Sequence, residues 1–159
     1  MPVVLNKQPI FTGTPLLITS QFNPEIPGNL KAPGIDNYTV VYEDASLYGS
    51  LITTVTVCST GLIGTTVTTK VIYLGIVDFN SGIASLYQSK IMTGISGLSA
   101  TDIVPYVTFE FGGGLLMNVA NGYQLVIAAS TNNTATGAAG DQISVTLEGG
   151  TYDQPPEDK

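Results

Sequence analysis

The chain has no histidine, no tryptophan and no arginine, and its one cysteine is Cys58. Each absence removes a class of chemistry. Without histidine the Ser-His and Cys-His pairs are excluded, because a hydroxyl or thiol nucleophile needs a base beside it. Transition-metal sites lose their commonest ligand in the same way, and no cofactor or metal site is expected. A lone cysteine forbids an intramolecular disulfide, leaves the redox compartment open, and reads as a small strand side chain. Charge is scarce too, at 11% of residues, and the five cations are lysines scattered at Lys7, Lys31, Lys70, Lys90 and Lys159. Phosphate backbones and anionic membrane surfaces are gripped by clustered cations. With a formal net charge of -7, the chain is expected to bind neither nucleic acid nor membrane. No stretch approaches the roughly 20 apolar residues of a membrane helix, and residues 1–7 show no basic stretch followed by a long apolar one, so no signal peptide is read there.

What is present is a β composition. Hydrophobic residues make up 43% of the 159, glycine numbers 18, and the polar surface has to come mainly from Thr, Ser, Asn and Gln. That length suits one domain with its own core. The stretch from Thr53 to Val77 reads as a hairpin of two β-branched strands joined by a link bounded by Gly61 and Gly64. From Thr65 onward Val67, Val71 and Tyr73 alternate with Thr66, Thr68 and Lys70, which predicts a half-buried strand with the lysine outward. Leu62 and Ile63 at the tip of the link either fold back on the domain or meet another subunit.

Residues 1–34 hold Pro2, Pro9, Pro15, Pro24, Pro27 and Pro33, which excludes a helix and any long central strand. Ile10, Phe11, Leu16, Leu17, Ile18 and Phe22 recur along this segment, so it reads as an extended arm with apolar anchors rather than a disordered tail. The arm lies either across its own domain or on a neighbouring subunit. Strands are expected from Ile35, beginning with residues 38–42, in a sandwich domain spanning 35–153, and an acidic, proline-broken tail at 154–159 is expected to be disordered.

Further along, residues 84–92 read as a shorter strand and 93–102 as a loop anchored by Ile95 and Leu98. The cleanest alternation follows Pro105, where Val107, Phe109 and Phe111 face one way and Thr108 and Glu110 the other. The glycines 112–114 lack the helix and lysine of a phosphate loop and read as a bulge or bend between strands. Asn121-Gly122 is a hairpin-turn dipeptide, leading to a strand with Tyr123, Leu125, Ile127 and Ala129 on one face. A last strand has Ile143, Val145 and Leu147 inward, with Ser144, Thr146 and Glu148 outward. Asp78-Phe79-Asn80-Ser81-Gly82 has the composition of a turn, and Ser89 stands where a calcium loop would need its bidentate glutamate. Glu110 and Glu148 could pair as glycosidase carboxylates only within a cleft lined by sugar-binding aromatics. They read as solvated strand charges that discourage edge pairing. Asn37-Tyr38-Thr39 and Asn132-Asn133-Thr134 match the glycosylation pattern by coincidence.

The runs Thr56-Val57-Cys58-Ser59-Thr60-Gly61, Ile103-Val104-Pro105-Tyr106-Val107-Thr108-Phe109, Ala120-Asn121-Gly122-Tyr123-Gln124-Leu125 leading to Ala128-Ala129-Ser130-Thr131, and Ile143-Ser144-Val145-Thr146-Leu147-Glu148-Gly149 carry a likeness in order and spacing. Over about residues 50 to 150 the chain resembles small β-sandwich structural proteins of tailed bacteriophage virions. It departs from them in the Leu62-Ile63 tip, where small polar residues are commoner, and in its proline-rich arm. The resemblance implies a capsid decoration or cement protein, or a head, neck or tail component, assembled in a host cytoplasm into the virion.

The expectation is therefore an all-β antiparallel β-sandwich, of jelly-roll or Ig-like topology, with an extended proline-rich N-terminal arm. No catalytic residue is assigned. The function expected is non-enzymatic, cementing a shell by contact with a major capsid protein or other virion proteins, as a homo-oligomer with a trimer favoured. A tail or fibre component, or a carbohydrate-binding module using exposed tyrosines, is the alternative. The interaction residues expected are Ile10, Phe11, Leu16, Leu17, Ile18 and Phe22 of the arm, with Leu62 and Ile63 of the tip.

Overall fold

The computed structural model describes residues 15–22, 38–43, 48–59, 63–64, 66–78, 80–117, 122–130 and 143–152. Eight strands and no helix occur among them: β1 (Pro15–Phe22), β2 (Thr39–Glu43), β3 (Ser50–Ser59), β4 (Lys70–Asp78), β5 (Ala84–Met92), β6 (Tyr106–Met117), β7 (Tyr123–Ala129) and β8 (Ile143–Thr151). They form two four-stranded sheets, β1-β8-β3-β6 and β2-β7-β4-β5, antiparallel throughout. The sheets pack face to face as a β-sandwich around one core, in which Ile52, Val55, Val57, Phe109, Val145 and Leu147 of the first sheet meet Ile72, Leu74, Leu125 and Ile127 of the second.

The pairing has a simple logic. The first strand pairs with the last, β2 with β7, β3 with β6, and β4 with β5, as if one long hairpin had been closed at the β4–β5 turn and then rolled up. That turn has the predicted chemistry. The Gly82 N–H donates to the Asp78 carbonyl at 2.7 Å, and the Asn80 N–H donates to Asp78 Oδ1 at 2.8 Å, so the aspartate helps to hold the hairpin turn.

Two expectations are corrected by this topology. Residues 53–77 are not a hairpin, because β3 lies in the first sheet and β4 in the second, so the link between them crosses the sandwich. Residues 15–22 of the expected arm are a regular edge strand along β8, running from Pro15 opposite Gly150 to Phe22 opposite Ile143. The sandwich therefore includes residues ahead of Ile35, namely Pro15–Phe22. The proline at the first position of an edge strand, with no N–H to give, is the one place in a sheet where it is tolerated.

The two sheets differ on their outer faces. The first is polar there: Thr19, Thr146, Thr56 and Thr108 stand in one row across all four strands, with the Thr56 and Thr108 hydroxyls 3.3 Å apart. The second is apolar on both faces, since Tyr73, Val77, Ala84, Val126 and Ala128 form a second buried cluster on the side away from the first sheet. Double-sided burial explains why β4 reads as a nearly unbroken apolar run. It also reverses the predicted face of that strand: Lys70, at 1% exposure, shares the inward row with Ile72 and Leu74, while Val71 and Tyr73 point away.

Two local devices fit the edges together. In β6, Phe111 and Gly112 to Gly114 all lie opposite the single residue Thr53 of β3, so the triple glycine is a bulge inside one strand rather than a bend between two. Gly114, with φ +78°, is where the chain turns back, and a Cβ there would strike the Leu51 side chain. The bulge lets Phe111 pack against Tyr87 of β5 in a tilted arrangement, ring centroids 5.6 Å apart and planes at 52°. At the opposite end of the sandwich from the β3–β4 link, the Tyr42 hydroxyl and Ser50 Oγ, 2.6 Å apart and buried, join the two sheets.

Candidate interaction surface

Strand direction sorts the connections by end. The longer ones, over residues 23–38, 60–69, 93–105 and 130–142, all join strands at the end where Phe22, Ser59 and Ile143 sit side by side. The shorter ones, 44–49, 79–83 and 118–122, are at the other. Long connections held by a rigid frame are where binding surfaces are usually built.

At the long-link end the β3–β4 and β5–β6 connections run antiparallel and are tied together. The Ser59 N–H donates to the Pro105 carbonyl at 3.0 Å, the Gly64 N–H to the Leu98 carbonyl at 2.6 Å, and Val67 and Ile95 exchange two bonds at 2.8 and 3.0 Å. Gly94 makes the close approach possible, because a Cβ there would lie 2.1 Å from the Val67 carbonyl oxygen, and the Gly94 N–H donates to Thr69 Oγ1 at 2.8 Å. Leu98 and Val67 are buried beneath, as anchors. Next to them Ser99 and Asp102 close a tight turn in both directions. The Ser99 N–H donates to Asp102 Oδ2 at 2.7 Å, and the Asp102 N–H to the Ser99 carbonyl at 3.2 Å. The Ser99 backbone bond, with its side chain second, holds the Asp102 carboxyl below its ordinary pKa.

This frame carries four outward apolar side chains: Ile63 at 71% exposure, Ile103 at 81%, Val104 at 36% and Tyr106 at 60%. Asp102 is the one charged residue in the two links. The arrangement is a pre-formed platform with a single charge, suited to burying an apolar partner. Cys58 is the nearest reactive group in β3, paired with Tyr106. Burial pushes its thiol pKa up against the weaker, lowering effect of the Ser144 side chain, the opposite of what a nucleophile requires.

The expected interaction residues are only partly brought together. Ile63 is on the platform. Leu17 is exposed on the outer face of β1, and Ile18 packs on the core. Leu16 and Phe22 take their places in β1 by backbone pairing with Gly149 and Ile143. Ile10, Phe11 and Leu62 lie outside the described residues. Ile103, Val104 and Tyr106 were not expected as contact residues. The signal for them was present in the Ile-Val-Pro-Tyr run, where a proline holds the preceding residue extended and two apolar residues stand outside any alternation.

Glu110 and Glu148 sit in one row on either side of Thr54 on the outer face of the first sheet. Two strand spacings put about 9–10 Å between their backbones, on an open surface. Among the described residues no three His, Cys, Asp or Glu side chains gather as metal ligands. Comparison with protein-family models and with curated proteins finds no match for the chain.

Proposed function

We propose that the chain is a non-enzymatic structural protein of a virus particle, a capsid decoration or cement protein that seats its long-link end on a neighbouring protein. The observation that carries this reading is the apolar platform of Ile63, Ile103, Val104 and Tyr106 at one end of a sandwich whose first sheet carries a row of threonines on its outer face. The strand order supports it. Pairing of first with last strand, in sheets β1-β8-β3-β6 and β2-β7-β4-β5, is the order of an eight-stranded jelly roll, used by viral capsid and lectin domains. It differs from the immunoglobulin order, where the first two strands are neighbours. A fold alone assigns no role, so the weight rests on the platform and on the resemblance of residues 50 to 150 to phage virion proteins.

An antibody against the purified chain should label intact particles in a regular pattern by electron microscopy, and adding the chain to particles stripped of it should raise their heat resistance. A chain that labels no particle and stays in the soluble fraction of infected cells would overturn the reading. The exposed Tyr106 ring at the same end favours a second one, a carbohydrate-binding jelly roll. Reproducible binding on a glycan array, lost in Tyr106→Ala, would select it.

A further inference from the structure

The platform and Pro15, where β1 begins, lie at opposite poles of the sandwich. Pro15, the first residue of β1, pairs with Gly150 at the short-turn end, and Phe22 pairs with Ile143 at the platform end. Residues 1–14, outside the described residues, therefore leave from the pole away from the platform. They carry the anchors Ile10 and Phe11, one cation, Lys7, and no acid. The platform links carry one charge of the opposite sign, Asp102. Ile10 stands five residues before Pro15 and can reach at most about 18 Å from it. The eight residues of β1 alone span about 26 Å, so Ile10 and Phe11 cannot return to their own platform.

From this geometry we infer that residues 1–14 of one copy dock on the platform of a second, Ile10 and Phe11 against Ile103, Val104 and Tyr106, with Lys7 beside Asp102. Such a contact is head-to-tail. It uses two different surfaces per copy, so it closes into a ring or extends as a filament according to the rotation between copies. In a chain of net charge -7, a short positively charged segment that lacks acids is the part least repelled by another copy. The inference rests on the platform and not on the virion role. A chain that associates this way yet labels no particle would lose the role and keep the contact.

The test uses full-length chains and the complementarity of the two surfaces. By sedimentation velocity over a concentration series the parent should associate. The arm variant Ile10→Asp/Phe11→Asp and the platform variant Ile103→Asp should each weaken association about 30-fold or more, the loss expected of a buried anchor. An equimolar mixture of the two variants should recover a dimer, because one retains an intact platform and the other an intact arm. Melting curves matching the parent control for folding, and Tyr106→Asp replaces Ile103→Asp if the latter melts early. A monomeric parent, an arm variant that associates like the parent, or a mixture that stays monomeric would each overturn the proposal.

Discussion

Single residues decide the core, and Phe109 shows how far sequence alone reaches. The alternation after Pro105 put its ring inward, and it is fully buried among residues of both sheets. One edge of the site is not apolar: Lys90 donates its ammonium to the Thr108 carbonyl and lies 5.6 Å from the centroid of the Phe109 ring. Phe109→Asp removes the ring and buries a carboxylate, and Lys90 compensates only in part because it already has an acceptor. A loss of about 3 kcal/mol or more is expected, which lowers Tm by at least about 6 °C in a domain of this size. An unchanged melting curve would contradict the placement. Lys70 is the opposite case, since its charge made it read as a solvent-facing residue of a half-buried strand. Only the second packed face of β4, invisible to a period-two pattern, puts it inside.

At the scale of elements, strand positions were legible and partners were not. Residues 84–92 form a strand of the expected extent, and Ile143, Val145 and Leu147 take the expected inward face of a strand that runs on to Thr151, because periodicity is local. The supposed hairpin at 53–77 failed because a Gly-bounded link of that length serves equally well to cross between sheets, and nothing local distinguishes the two. The platform was half legible for the same reason: Ile63 drew notice as an apolar tip, whereas Ile103 and Tyr106 gain meaning only when backbone bonds set their link beside it. Gly94→Ala tests that junction directly. A methyl group 2.1 Å from the Val67 carbonyl oxygen cannot be accommodated without separating the two backbones. The variant should lose about 1–3 kcal/mol and the Val67 and Ile95 amides should exchange with deuterium much faster, while amides of β8 slow in the parent remain slow. The Ser99–Asp102 turn adds a pH dependence. A carboxyl whose pKa is lowered by folding contributes stability that is present above its unfolded value near 3.9 and is lost as pH falls through the lower folded value. Loosening of residues 99–104, followed by the Ser99 amide resonance, should therefore begin below about pH 4 and be absent at neutral pH. In Asp102→Asn the same resonance should be insensitive to acid.

On the scale of the whole molecule, the rolled hairpin makes a kinetic demand. Only the β4–β5 pair is joined by a tight turn. Each outer pair must close a longer loop than the one inside it, up to Pro15 opposite Gly150. Loop-closure entropy precedes the reward of those contacts, and all-β folds dominated by distant pairings refold in milliseconds to seconds or slower. The pairings also impose an order, because β3 and β6 are brought within reach once β4 and β5 have met, and among the described strands β1 pairs with β8 alone. Pulse-labelling hydrogen exchange during refolding should therefore protect the β4–β5 amides first and those of β1 last. Moving the chain termini to the 79–83 turn by circular permutation, joining the old ends through a flexible linker, should slow refolding by much more than it lowers Tm. The native pairs survive in that permutant, while the one local closure from which the rest propagates is gone. A permutant refolding at the parent rate would show that the nucleus lies elsewhere, with the antiparallel β3–β8 pair as the next place to look.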